Sequence, residues 1–221
     1  MPLTRKELAG KIEHSVLHPE ATRQDLQTAC QMAIEEGLAG LCVHSGHVKL
    51  ARSFLGASPT ALVAVVGFPL GASASSVKLE EMSFSLMNGA THIDAVLNIG
   101  WIKEGDDANV RREFRQLMDL ADGKPLKLIL ETSLLTTDEI KRACRMALDV
   151  SIPYIKTSTG FGERGASVED VKLIRSVVGK EAKIKASGGI KTIEQTLALL
   201  EAGADRIGTS ATLNLLGATQ T

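Results

Sequence analysis

The stretch LKLILETSLLTTDEIKRACRMALDVSIPYIKTSTGFG, residues 126–162, contains one full repeat of the chain's organisation. It opens on a short apolar run, 126–130, too brief for a packed helix and bounded by polar residues. Thr136 then stands where a helix cap is needed, with Glu139 three residues on, the reciprocal pattern that satisfies two orphan amides. A second apolar run, 153–156, follows the helical segment, ends on Lys156 and enters the glycine-bearing loop Thr157-Ser158-Thr159-Gly160-Phe161-Gly162. A short strand followed by a helical crossover and a second short strand is the repeating unit of a parallel sheet.

Working outward, the same alternation recurs. Apolar runs occupy 11–17, 39–43, 61–66, 91–97, 126–130, 153–156, 182–186 and 205–208. Helix signals fill most of the gaps. Residues 75–88 carry Val77, Met82, Leu86 and Met87 as apolar positions and stop before Gly89. Ser167-Val168-Glu169-Asp170 opens another helix in the manner of Thr136–Glu139, and residues 192–202 close on Gly203. The runs read as continuously apolar, which suits parallel strands covered on both faces. Eight such units predict an α/β fold, a closed (β/α)8 TIM barrel at its lower size limit. We expect one catalytic domain over 1–221, with an extra N-terminal helix. An open doubly wound sheet is the rival, but it calls for a glycine fingerprint after the first strand, and none follows residues 11–17.

Bulk properties narrow the function. The 221 residues are 44% hydrophobic and 23% charged with a formal net charge of -1, so no global field draws the chain to nucleic acid or anionic membrane. No apolar run reaches the length of a membrane span, and the N-terminal MPLTRKELAGKIEH lacks a signal core, so a cytoplasmic location is expected. Cys30, Cys42 and Cys144 form no CxxC pair. His44 and His47 lie three apart, but the segment before them reads as a strand and no HExxH pattern is present, so no metal site is expected.

In a barrel of this kind chemistry gathers at the C-terminal ends of the strands. Two neighbouring strands finish there on lysines, Lys156 and Lys185, each followed at once by a glycine loop. An ammonium in a barrel mouth is costly unless it is used or neutralised. Two of them close together, partly desolvated, are expected to lower each other's pKa and so free an amine to attack carbonyl carbon. The bland alternative is that both lysines reach solvent. Lys183 competes with Lys185 for the same face but lies nearer the N-terminal end. Asp94 shares a face with His92 on an otherwise apolar strand, where it would pair with a cation or move protons. Ser187-Gly188-Gly189 and Gly208-Thr209-Ser210 follow the last two strands, the place where this fold often holds phosphate on backbone amides.

The segments GFPLGAS (67–73), HIDAVLNIG (92–100), LILETSLLT (128–136), IKTSTGFG (155–162), KASGGIKT (185–192) and AGADRIGTSA (202–211) together resemble the deoxyribose-phosphate aldolases along nearly the whole chain. The resemblance implies reversible cleavage of 2-deoxy-D-ribose 5-phosphate to acetaldehyde and D-glyceraldehyde 3-phosphate through a Schiff base, without metal or cofactor. It implies Lys156 as the imine-forming lysine, Lys185 as its partner in proton transfer and Asp94 in the proton relay. Thr159, Gly160, Gly188, Gly189, Gly208 and Ser210 would hold the substrate and its phosphate.

Against that family pattern Glu13, Ser15 and His18 replace Asp, Thr and Lys, His92 replaces an acidic residue, and Ala211 replaces a second serine. The tail 217–221 carries no terminal tyrosine. Small phosphosugar and aldehyde substrates are the expected partners, and symmetry habits suggest a homodimer or homotetramer. A different class I aldolase, a silent phosphosugar-binding protein and a metal-dependent aldolase or isomerase are the alternatives to be weighed.

Overall fold

A computed structural model describes residues 3–218. The parallel strands β1 (Ile12–Val16), β2 (Gly40–Val43), β3 (Ala61–Val66), β4 (His92–Val96), β5 (Leu126–Ile129), β6 (Tyr154–Lys156), β7 (Lys183–Ser187) and β8 (Arg206–Thr209) pair in chain order and close β8 onto β1. All eight runs read from the sequence are strands of this barrel, and the doubly wound alternative falls away because the sheet has no edge. The helices in chain order are α1 (Arg5–Ala9), α2 (Arg23–Glu35), α3 (Val48–Leu55), α4 (Ser75–Met87), α5 (Ile99–Glu104), α6 (Asp107–Ala121), α7 (Thr137–Leu148), α8 (Val168–Val178), α9 (Ile193–Glu201) and α10 (Thr212–Gly217). The first of these is the extra helix expected ahead of β1. None is long and apolar enough to cross a membrane. The residues from 219 onward, part of the tail singled out above, lie outside the described residues.

Thr136 and Glu139 form the full capping box anticipated at α7, and Thr192 and Gln195 form another at α9. Ser167 also caps its helix by accepting from the Asp170 amide at 3.0 Å. The reciprocal half is missing there, because the Asp170 carboxylate instead takes the Thr132 hydroxyl at 2.8 Å and the Arg164 guanidinium. A helix-capping acid has been diverted to pin the loop after β6.

Strand alternation divides the packing into two unequal cores. Outward residues such as Leu62, Ile93, Leu128, Ile155 and Ile184 join the helices in one large apolar layer. Inside the barrel the apolar cluster is small: Leu17, Cys42, Val63 and Val65, with Phe68 against them. The remaining interior is ionic, with Glu13, Asp94, Lys127, Lys156 and Lys185 all buried. The expectation of strands apolar on both faces therefore holds for β3, while β1, β4, β5, β6 and β7 each carry an inward charge.

Helix α4 departs from its amphipathic reading. Lys78, Met82 and Ser85 are its buried positions, whereas Val77 and Met87 face outward, 57% and 84% exposed. Lys78 is drawn in by Glu113 of α6 at 2.9 Å and by the Val96 carbonyl at 2.9 Å. Burial pushes this ammonium below its ordinary range even though Glu113 opposes the shift. Breaking such a pair leaves one dehydrated charge behind. Lys78→Met is therefore expected to cost about 3–5 kcal/mol in chemical denaturation, with Lys78→Met/Glu113→Leu recovering most of it. A single-variant loss below about 1 kcal/mol would contradict this.

Candidate active site

Asp94 on β4 is fully buried and receives three ammonium groups. Lys127 donates to Oδ1 at 2.9 Å, while Lys156 and Lys185 donate to Oδ2 at 2.9 and 2.7 Å. The register explains the convergence: Asp94 lies beside Lys127 across the β4–β5 pair, and Lys156 beside Lys185 across β6–β7. Glu13 on β1 closes the cluster, 3.3 Å from Lys127 through Oε1 and bonded to Lys185 through Oε2. Room for these long side chains comes from small neighbours. A Cβ on Gly208 would stand 2.9 Å from Lys185 Cε, and one on Gly40 would stand 3.3 Å from Glu13 Cγ.

Electrostatics follow from this packing. Burial favours the neutral acid at both carboxyls. The surrounding lysines outweigh it, lowering Glu13 and holding Asp94 well below the usual carboxylate range. Burial would likewise depress Lys185, but Asp94 and then Glu13 outweigh that too and raise it. This differs from the mutual lowering expected of two neighbouring lysines, because two carboxylates stand among them. Three amines against two carboxylates still leave one positive charge over. Lys127 and Lys185 each bridge both acids. Among the described residues Lys156 pairs with one acid, Asp94, and its ammonium lies 6.0 Å from the centre of the Phe68 ring.

Above the cluster opens a cavity of about 210 Å³ at the C-terminal end of the barrel. Its walls include Lys156, Thr159, Gly160, Lys185, Gly188, Gly189, Gly208 and Ser210. Every sequence-proposed site residue except Asp94 is thus in the wall, and Asp94 lies beneath, bonded to both lysines. Gly188 adopts φ 91°, and Gly165 packs so tightly against it that a Cβ on Gly165 would stand 1.9 Å from the Gly188 carbonyl oxygen. Ser15, His18, Ser187, Lys191 and Thr209 also line the cavity. A larger hollow of about 970 Å³ against α4, lined by residues such as Leu70 and Val77, contains none of the lysines. Chemistry rather than size selects the smaller one.

Lys183 is exposed, with its ammonium 5.6 Å from the centre of the Tyr154 ring. Lys127 approaches the same ring at 5.7 Å. His44 and His47 flank a short 3₁₀ turn, and His44 Nε2 lies 3.0 Å from the Leu17 carbonyl, its ring edge-on to Phe68. Lys127 was missed by the sequence reading, and Glu13 was noted there only as a departure. The available signal was a charged residue at an inward position of an otherwise apolar strand.

The sequence has known relatives. The profile of the DeoC/LacD family aldolase matches residues 8–217. The chain belongs to the DeoC/LacD aldolase family. It is therefore an aldolase, a carbon–carbon lyase acting on small molecules. It is 44% identical over 211 residues to a deoxyribose-phosphate aldolase of Mannheimia succiniciproducens, covering 96% of this chain and 94% of that one. The solved aldolase QR15 superposes with a TM-score of 0.91 at 34% identity, over 96% of this chain and 95% of that one. A tetrameric deoxyribose phosphate aldolase from Aeropyrum pernix superposes with a TM-score of 0.89 at 29% identity, over 97% and 91%.

His92 adjoins this cluster from the start of β4. Burial, and after it the charge of Lys127, pushes its imidazole down to about 4 from an ordinary 6.5. The folded state thus resists a proton that the unfolded chain accepts. The resulting stability is complete above pH 6.5, is lost as pH falls toward about 4, and is then constant. Burial lowers His14 to about 4 as well, so both add to the same window. Unfolding free energy measured across this window is expected to fall less steeply for His92→Gln than for the wild type. Equal slopes would contradict the assignment.

Proposed function

We propose that this aldolase cleaves 2-deoxy-D-ribose 5-phosphate reversibly to acetaldehyde and D-glyceraldehyde 3-phosphate through an imine on Lys156. The observation that carries the reading is the position of Lys156. It stands in the cavity wall, while its single ion-pair partner, Asp94, is also gripped by Lys127 and Lys185. Fixed cations on that carboxylate let Lys156 give up its proton while the cluster as a whole becomes charge-balanced.

The neutral amine attacks the aldehyde carbon of the open-chain sugar, and loss of water gives the iminium. Iminium formation makes the carbon an electron sink. A base removes the proton of the C3 hydroxyl, the C2–C3 bond breaks, and its electron pair enters the enamine as glyceraldehyde 3-phosphate departs. Protonation of the enamine carbon and hydrolysis release acetaldehyde and restore the amine. Lys185 and Asp94, bonded at 2.7 Å, are the charged groups that flank Lys156 and orient it during that proton transfer. Gly160, Gly188, Gly189 and Ser210 supply the backbone and hydroxyl lining that suits a phosphate at the far end of the cavity. Gly208 serves chiefly by making room for Lys185.

We further propose one catalytic domain over 1–221, a cytoplasmic setting, in keeping with three buried free thiols, and a homodimer or homotetramer, in keeping with the tetrameric relative. The silent binding-protein reading is disfavoured by the complete Lys156–Asp94–Lys185 group.

In a coupled assay for glyceraldehyde 3-phosphate, Lys156→Leu is expected to abolish cleavage while retaining the wild-type circular dichroism. Substantial turnover would remove the nucleophile assignment. Lys185→Leu and Lys127→Met each delete a cation that Lys156 must then replace, so each should lose more than about tenfold. Lys127 is absent from the cavity wall, so unchanged turnover in Lys127→Met would refute the charge-balance argument.

A further inference from the structure

Glu131 lies two residues past the end of β5 and outside the walls of the cavity, yet it is only 3% exposed. Its backbone sits in the left-handed region at φ 54°, unfavourable for a residue with a Cβ. No lysine or arginine pairs with its carboxylate among the ion pairs of the described residues. Its partners belong instead to the loops around it. Oε2 accepts the Thr159 amide at 3.1 Å and also the Thr159 hydroxyl, while Oε1 accepts the Ser133 hydroxyl at 3.2 Å. The Thr159 oxygen in turn accepts the Phe161 amide at 3.1 Å. Gly162 packs against the same carboxylate, where a Cβ would stand 3.1 Å from Oε1.

Resting on the proposed substrate, we infer that Glu131 is a positioning residue for phosphate recognition, and that Thr159 is its strut rather than a phosphate donor. Both donors of Thr159 are already committed to Glu131, so neither is free for the anion. What the strut sets is the position of Gly160. That residue meets Gly188 backbone to backbone: a Cβ on Gly188 would stand 3.1 Å from Gly160 Cα. The Ala166 amide, from the far end of the same loop, donates to the Ser187 and Gly188 carbonyls at 3.1 Å each. The loop after β6 and the glycine turn after β7 therefore move as one piece, tied at one end to Glu131. Lys156 and Asp94 lie on strands, outside this linkage, so releasing the strut should loosen the phosphate end and spare the imine end.

The test compares 2-deoxyribose 5-phosphate with unphosphorylated 2-deoxyribose for wild type, Glu131→Ala and Glu131→Gln, with folding checked by thermal melting. For Glu131→Ala, KM for the phosphorylated sugar should rise roughly tenfold or more with kcat within about threefold. Turnover of the unphosphorylated sugar should stay within about twofold, and inhibition by inorganic phosphate should weaken in parallel with KM. Glu131→Gln, which keeps an acceptor and the side-chain shape, should restore most of the loss. Equal losses on both sugars, or an unchanged KM, would overturn the assignment even in a well-folded variant. A wild type that cleaves neither sugar would overturn the substrate reading, and this inference with it.

Discussion

One carboxylate shared by three ammonium groups organises this molecule. Asp94 is fully buried, and each of its oxygens is claimed by lysine. A carboxylate buried alone would take up a proton, and a buried lysine alone would lose one. Together they keep each other charged, and Glu13 ties two of the lysines from the opposite side. The arrangement leaves a single positive charge without a counter-charge, and of the two amines in the cavity wall Lys156 is paired with one carboxylate and Lys185 with two. Reactivity here comes from a deliberate imbalance in an otherwise satisfied network.

The barrel makes that imbalance tenable. Its apolar stability lies mainly outside the sheet, between strands and helices, so the interior is free to hold charge on one side. The small cluster of Leu17, Cys42, Val63 and Val65 fills the other side and keeps water out. Backbone is thinned where the long side chains pass, at Gly40 and Gly208. Rigid parallel strands then fix five charges in register, a precision that loops would not supply. The recognition loops are layered on top, held by their own hydrogen bonds rather than by the ionic cluster.

Much of this was legible in the sequence, because short apolar runs alternating with capped helices leave few topologies. The strand-end lysines, Asp94 and the glycine loops stood out for the same reason. Lys127 did not, since it lies between Leu126 and Leu128 and was absorbed into a run read as continuously apolar. Glu13 was hidden in the same way behind its departure from the family pattern. The period of two along β1 and β5 contains the missing signal, as every second residue faces inward. Asp170 shows another limit: its spacing fits a capping box, but only the folded loop reveals that Thr132 and Arg164 claim its oxygens. The pKa of Lys185 likewise depends on Glu13 and Asp94, distant in sequence and adjacent in space.

Among the three lysines gathered on Asp94, Lys156 is the one placed to act as the neutral nucleophile. Borohydride reduction in the presence of 2-deoxyribose 5-phosphate, followed by peptide mass spectrometry, tests it most directly. A reduced adduct is expected on the peptide bearing Lys156, with Lys127 and Lys185 unmodified. An adduct on Lys185, or none in an active enzyme, would contradict it.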